Sequence, residues 1–422
     1  MLYFYKLSVH FVTKIVTFYE ELKSLHKDKK KMLIIFLVTF IGLMGFGIIL
    51  PLFPFYAERL GASPEIITLT MAVFALGQFI ASPFWGRLSD SIGRKKVLVI
   101  SLIGSIISYV MLAFAETLTM VLLSRILSGL MAGNISIAFA YVADITDEKN
   151  RSAGLGKVSA ALGLGFMTGP AIGGFLAGSD IENANYVLTA LAGAGINLVA
   201  MIGAILFLKE SLPDDQRKPI DGLFKIFKKE TFKPGKSILA LALSGLFFYS
   251  GMSLMEAIFP LWANDLFMYG PSHIGSVFFM LGLISVIIQG GLIGPLTKWL
   301  GEIRLIQTAA IFMMIGLSLI GSAFNLLILW LGLFFYGCGA AMFNPSLSSL
   351  VSKSAKPNEK GLFLGQYQSA CALGRILGPT FSGVLFSQVS VSAPLFTGAL
   401  MGIPVIVLIT NFALRRQNEG IE

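Results

Sequence analysis

Long stretches with almost no polar side chain alternate with short polar segments along nearly the whole sequence. A run of about 20 apolar residues, at about 1.5 Å of helical rise each, crosses about 30 Å of hydrocarbon. On that measure spans fall near 32–56, 66–85, 97–115, 118–142, 153–178 and 186–208, and again near 238–263, 273–294, 305–323, 326–349, 361–386 and 392–414. Most are apolar all round instead of along one 3.6-residue stripe, as expected of helices that face lipid and one another. Twelve spans return both termini to one side of the membrane.

Composition agrees with the pattern. The chain is 55% hydrophobic and 13% charged, with a mean hydropathy of +0.79, whereas a soluble protein carries about a quarter charged residues. The net charge of +9 does not point to nucleic acid, because its distribution has another meaning. With a cytoplasmic amino terminus, 29 of the 32 Lys and Arg fall in inner segments; Arg59 is outside, and Arg125 and Arg375 lie within spans. That asymmetry is the positive-inside rule and predicts cytoplasmic termini. Cys338 and Cys371 sit inside spans without C-x-x-C spacing, and His10, His26 and His273 are scattered. Neither a disulfide framework, a metal site nor an intramembrane hydrolase is indicated. No nucleotide-binding motif is present, so no cofactor is expected.

The chain repeats itself. "FPFYAERL" (53–60) matches "FPLWANDL" (259–266), "GRLSDSIGRKKVL" (86–98) matches "GPLTKWLGEIRLI" (294–306), and "GLGFMTGPAIGG" (163–174) lines up with "ALGRILGPTFSG" (372–383). Ordered offsets of 206, 208 and 209 residues describe a duplicated six-span unit. Bundles over 32–208 and 238–414 are expected, joined by the polar, cytoplasmic linker 209–237, with a cytoplasmic tail at 415–422. Parallel repeats around a midplane site are a usual transporter architecture. Residues 1–31 read either as a basic amphipathic helix on the inner membrane surface or as a tail without fixed structure, and Met32 opens the first span directly.

Charge inside the spans is sparse and therefore informative. Of 23 acids, 22 fall in loops, tails or span ends; Glu256, in "SLMEAIFPLW", is the exception. Leaving water favours a protonated carboxyl and a nearby cation favours an ionised one, so such a group can load and release protons. Glu256 is the candidate proton carrier and cation contact, or else half of a fixed ion pair with Arg375. Arg125, in "LLSRILSGLMAG", should face a polar cavity with a part in proton coupling, unless it reaches back to the outer headgroups. Gln78, Asn134, Gln289, Asn344, Gln366 and Gln368, with Phe247, Phe248, Tyr336 and Phe343, are weaker candidates for a substrate cavity.

The turn "GRLSDSIGRKK" (86–96) packs five charges into eleven residues. Gly86 and Gly93 permit tight turns, and Asp90 beside Arg94 and Lys95, near a helix amino terminus, suits a gating contact at the inner face. This turn resembles the loop signature of the major facilitator superfamily, with Ser91 where a base is usual. "GFMTGPAIGG" is similar to the fifth-span signature of its drug:proton antiporter branch, through Gly165, Gly169, Pro170, Gly173 and Gly174. Arg125 and Gly129 resemble that branch's span-4 motif, and "YVADITDEKNRSAGLG" (141–156) its following loop. The resemblance covers about residues 32–414 and is closest to twelve-span tetracycline and multidrug efflux proteins. The acids that tetracycline pumps carry in spans 1 and 9 are missing here, as is the span-10 acid of some multidrug exporters. The resemblance implies an all-α membrane protein with twelve transmembrane helices in two bundles, acting as a monomer in the plasma (inner) membrane. It implies proton-driven export of small amphipathic compounds. Export of one metabolite, such as a siderophore or sugar, and a non-transporting sensor of the same fold are the alternatives.

Overall fold

The computed structural model describes residues 27–217, 236–355 and 360–418. The segment expected to be amphipathic or unstructured lies outside the described residues up to position 26, as does most of the linker, 218–235. What is described is helical almost throughout. The first half comprises α1 (Lys27–Gly47), the short α2 (Phe53–Arg59), α3 (Pro64–Ile92), α4 (Arg94–Ala113), α5 (Leu118–Leu130), α6 (Asn134–Ile145), α7 (Glu148–Ala177) and α8 (Tyr186–Phe207). The second comprises α9 (Lys236–Phe267), α10 (Pro271–Ile287), α11 (Ile293–Gly321), α12 (Leu326–Ser354), α13 (Lys360–Gln388), α14 (Ala393–Leu400) and α15 (Gly402–Asn418).

Eleven stretches among the described residues are long and apolar enough to cross a membrane, and the protein is a multi-pass membrane protein. One of them, Pro271–Gly321, has 51 residues, far more than the roughly 20 that one crossing needs. It contains both spans read near 273–294 and 305–323. A π-helical turn at Ile288–Leu292 interrupts it, and at Gly301 the backbone leaves helical geometry altogether (φ 72°, ψ 162°). The span read as 118–142 is also broken, between α5 and α6 at Met131–Gly133. There the indole N–H of Trp85 donates to the Leu130 carbonyl at 2.6 Å, satisfying a backbone acceptor that the break releases.

Contacts between the halves gather at the end away from the 86–96 turn. The Gly383 amide donates to Thr68 Oγ1 at 3.1 Å, the Ser387 hydroxyl bonds the Glu65 carboxylate, and the Ser272 amide donates to the Gly178 carbonyl at 3.0 Å. Along α7 and α10 the approach is closer than side chains allow. A Cβ placed on Gly174 would stand 2.7 Å from the Pro271 carbonyl oxygen and 3.0 Å from the Gly275 Cα. Toward the turn end Gly156 and Gly163 of α7, Gly86 of α3, Gly365 of α13, and Gly290 and Gly291 after α10 have open space where a Cβ would point. The halves thus meet at the end away from the turn, with more open space around the glycines at the other.

Candidate functional site

Between the halves lies a cavity of about 340 Å³, within the range that holds small organic ligands. Its wall draws on both repeats, with Phe46, Phe74, Gln78, Tyr109, Arg125 and Asn134 from the first and Met252, Glu256, Phe278 and Arg375 from the second. The three charged residues singled out within spans, Glu256, Arg125 and Arg375, all reach this one chamber. Aromatic and apolar side chains supply most of the remainder, a surface on which flat amphipathic molecules can lie.

Each charged group is held differently. Arg375 faces the open chamber, its guanidinium carbon 4.5 Å from the centre of the Tyr249 ring. Glu256 is half-buried. No ion pair joins Glu256 to Arg375 among the described residues; in this state the two share a chamber without locking each other. Arg125 is 5% exposed and lies 4.9 Å from the centre of the Phe53 ring. It therefore turns inward and does not reach back to a headgroup.

The uncharged candidates divide. Gln78 and Asn134 are on the wall; Gln289, Asn344, Gln366, Phe247 and Tyr336 are not among the lining residues. Asn344 instead accepts a 2.8 Å bond from the Tyr367 hydroxyl. Phe247 packs beside the main apolar core and Tyr336 lies within it. Gln289 is exposed on the π-helical turn. Phe248 and Phe343 stack face to face at 3.6 Å, both buried. Tyr109 and Asn197 line the chamber and escaped the sequence reading. Asn197 carried a signal, as a polar residue deep in a span, but Tyr109 was indistinguishable from a packing aromatic.

The glycine-rich segment 165–174 serves two neighbours at once. Gly165, Gly169 and Gly173 admit the backbone of α1: a Cβ on Gly169 would lie 2.6 Å from the Met44 carbonyl oxygen. Gly174, one residue further round the helix, faces α10 in the other half. Pro170 lies inside α7, with its ring against Gly47 and its carbonyl against Gly275.

At the turn, Arg94 is the hub. Its side chain is 9% exposed. Nη1 meets Asp90 Oδ1 at 2.6 Å and donates to Ser89 Oγ at 2.6 Å, while Nε donates to Asp144 Oδ2 at 3.0 Å. Gly93, at φ 104°, turns the chain so that α4 starts at Arg94. The Glu210 carboxylate caps that start, accepting from the Arg94 amide at 2.8 Å and the Lys95 amide at 3.2 Å. Lys95 Nζ donates to the Ile205 carbonyl at 2.7 Å. Glu210 had not been singled out; an acid just after span 6, in "KESLP", was its only trace.

A membrane-embedded helical body with a chamber bounded by both repeats, held together at one end by contacts between the halves, has the architecture of a carrier for small molecules. The chain belongs to the Major Facilitator Superfamily, which it matches over residues 35–379. It is 32% identical over 388 residues to Multidrug resistance protein 2 of Bacillus subtilis (strain 168), covering 90% of this chain and 94% of that protein. It is 29% identical over 389 residues to Quinolone resistance protein NorA of Staphylococcus aureus (strain COL), covering 90% and 96%. Among solved structures, the human organic anion transporter MFSD10 (TETRAN) aligns with a TM-score of 0.70 at 23% identity, over 91% of this chain and all of that one. The nucleoside transporter NupG aligns with a TM-score of 0.72 at 13% identity, over 91% and 98%. These two likenesses speak for the fold.

Proposed function

We propose that the protein is a proton-driven exporter of small amphipathic compounds, of the multidrug type, working by alternating access in the plasma membrane with both termini in the cytoplasm. One observation carries the reading: among the described residues, Glu256 is the only carboxyl on the wall of a chamber that both halves build. The names of the relatives above point the same way.

In this scheme the chamber opens at the end of the 86–96 turn, on the cytoplasmic side, and the structure represents an inward-facing state. Glu256 takes a proton when the chamber faces outward, which weakens its hold on a cationic group of the substrate. It gives the proton up on the cytoplasmic side, where the next substrate enters. Arg375 keeps the ionised carboxyl within reach without sealing it, since no ion pair fixes the two. A proton moving inward gains about 2.3 kcal/mol for each ~100 mV of membrane potential.

Everted vesicles carrying the purified protein test this. Wild type is expected to concentrate a fluorescent dye when a pH gradient is imposed, and to release protons when substrate is added. Glu256→Gln should fold and insert yet lose proton-driven accumulation by at least about tenfold, as expected when a group needed for coupling loses its charge. Accumulation by that variant against a gradient would move the proton to another group.

A further inference from the structure

The chamber holds two guanidiniums and one carboxyl, and the imbalance is local. Glu256 and Arg375 belong to the second half, whereas Arg125 stands in the first with no carboxylate in an ion pair with it among the described residues. Two of its donors, Nε and Nη2, are buried and make no hydrogen bond. Buried donors are almost always satisfied, and a buried cation without a partner is costlier still.

The identity of the two orphans is informative. Nε and Nη2 form one straight edge of the guanidinium fork, with two parallel N–H bonds at the spacing of the oxygens of a carboxylate. One aromatic face, Phe53, already covers the flat side of the cation, and Tyr109 lines the chamber beside it. The protein supplies stacking and burial but leaves these two donors without an acceptor.

We infer that Arg125 is an anion-recognition subsite of the chamber, taking the carboxylate, or a similar planar anionic group, of an amphipathic substrate. Molecules with an aromatic body and a free acid, alone or as zwitterions whose cationic end lies toward Glu256, are its preferred cargo over the corresponding neutral or purely cationic esters. Both nitrogens are shielded in this state, so an anion reaches them when side chains of the wall give way. The subsite deepens the export reading above, on which it rests for the direction of transport, but its chemistry is an equilibrium property of the chamber.

The experiment compares a matched pair of probes, a rhodamine free acid and its methyl ester, by fluorescence titration of the purified full-length protein in detergent. The free acid is expected to bind wild type about tenfold more tightly than the ester, the size of effect a charge-assisted bidentate contact gives. In Arg125→Gln that ratio should fall to about one. In Arg125→Lys, which keeps the charge but loses the fork, it should fall to an intermediate value. Equal binding of the two probes to wild type, or a preference that survives in Arg125→Gln, would overturn the subsite. If Arg125→Gln does not fold, the wild-type ratio and Arg125→Lys decide. Because no proton gradient enters this measurement, an exporter that fails here keeps its Glu256 phenotype. A protein that passes here but never accumulates dye would lose the export reading instead.

Discussion

The turns at 86–96 and 294–304 occupy equivalent places in the repeat and solve the same problem with opposite charges. In the first half Gly93 (φ 104°) launches α4, a cation, Arg94, follows it, and the partner is the acid Asp144 near the end of α6. In the second half Gly301 (φ 72°) makes the turn, an acid, Glu302, follows it, and the partner is the base Lys353 near the end of α12. Ser349 adds a 3.1 Å bond to the same carboxylate. An acid at a helix amino terminus suits the helix dipole and a cation does not. The first half therefore imports an acid: Glu210, from beyond α8, accepts from the first two amides of α4. The duplicated unit has kept its backbone device and inverted its electrostatics, and the inverted copy needs a third element to hold it. That element leads into the linker between the halves.

The inversion makes unequal predictions, all measurable by thermal unfolding in detergent. Arg94→Ala should cost the most, about 2 to 3 kcal/mol, because it strips a buried cation from Asp90, Asp144 and Ser89 together. Its counterpart Glu302→Ala should cost under about 1 kcal/mol, since Lys353 is largely exposed. Equal losses would mean that neither the burial of Arg94 nor its extra partners strengthens the first turn. Gly93→Ala should cost about 2 kcal/mol and Gly301→Ala about 1 kcal/mol. Both backbones disfavour a side chain, but only at Gly93 would the Cβ also strike Glu210, 2.9 Å from its carboxyl carbon. Glu210→Gln should lose about 1 kcal/mol, the worth of a charged cap over an amide one, and Gly93→Ala made in that background should cost the same as before if the clash is steric.

The smallest effect belongs to the opposite end, where the repeat places Arg59 in one half and Asp265 in the other. Partial loss of water around an otherwise exposed side chain, with the Asp265 charge nearby, holds the Glu58 carboxyl above its usual value of 4.5. The folded protein then binds that proton more tightly than the unfolded chain. The contact is strongest below pH 4.5 and weakens as pH rises through the raised value. Glu58→Gln is expected to raise the melting temperature slightly at neutral pH and to leave it unchanged near about pH 4. A drop at neutral pH would show that the ionised carboxylate holds this end together.

Much of this was legible in the sequence because lipid leaves few choices. Apolar runs had to be helices, and an acid alone in a span had to face a polar chamber or a cation, which is where Glu256 lies. The turn was legible only in part: Gly93 and Gly301 keep register and both take positive φ, whereas Gly86, also read as a turn glycine, and its repeat-mate Gly294 lie inside α3 and α11. Partners were not. Nothing in the order of residues says that Asp144, 50 positions on, would bind Arg94, or that Glu210, 116 positions away, would cap its helix. Those depend on how helix ends meet in space. The same limit explains Gln289 and Asn344: polarity within a span marked them, but helix rotation, which periodicity cannot fix in an all-apolar helix, turned them away from the chamber.

Where Gly174 meets Gly275 and Ser272 meets Gly178, the halves touch through main chain. Such a joint freezes almost no rotamers when it forms and frees almost none when it parts. Opening and shutting there is cheap in entropy, so whatever occupies the chamber needs to contribute only a modest bias to decide which doorway is ajar.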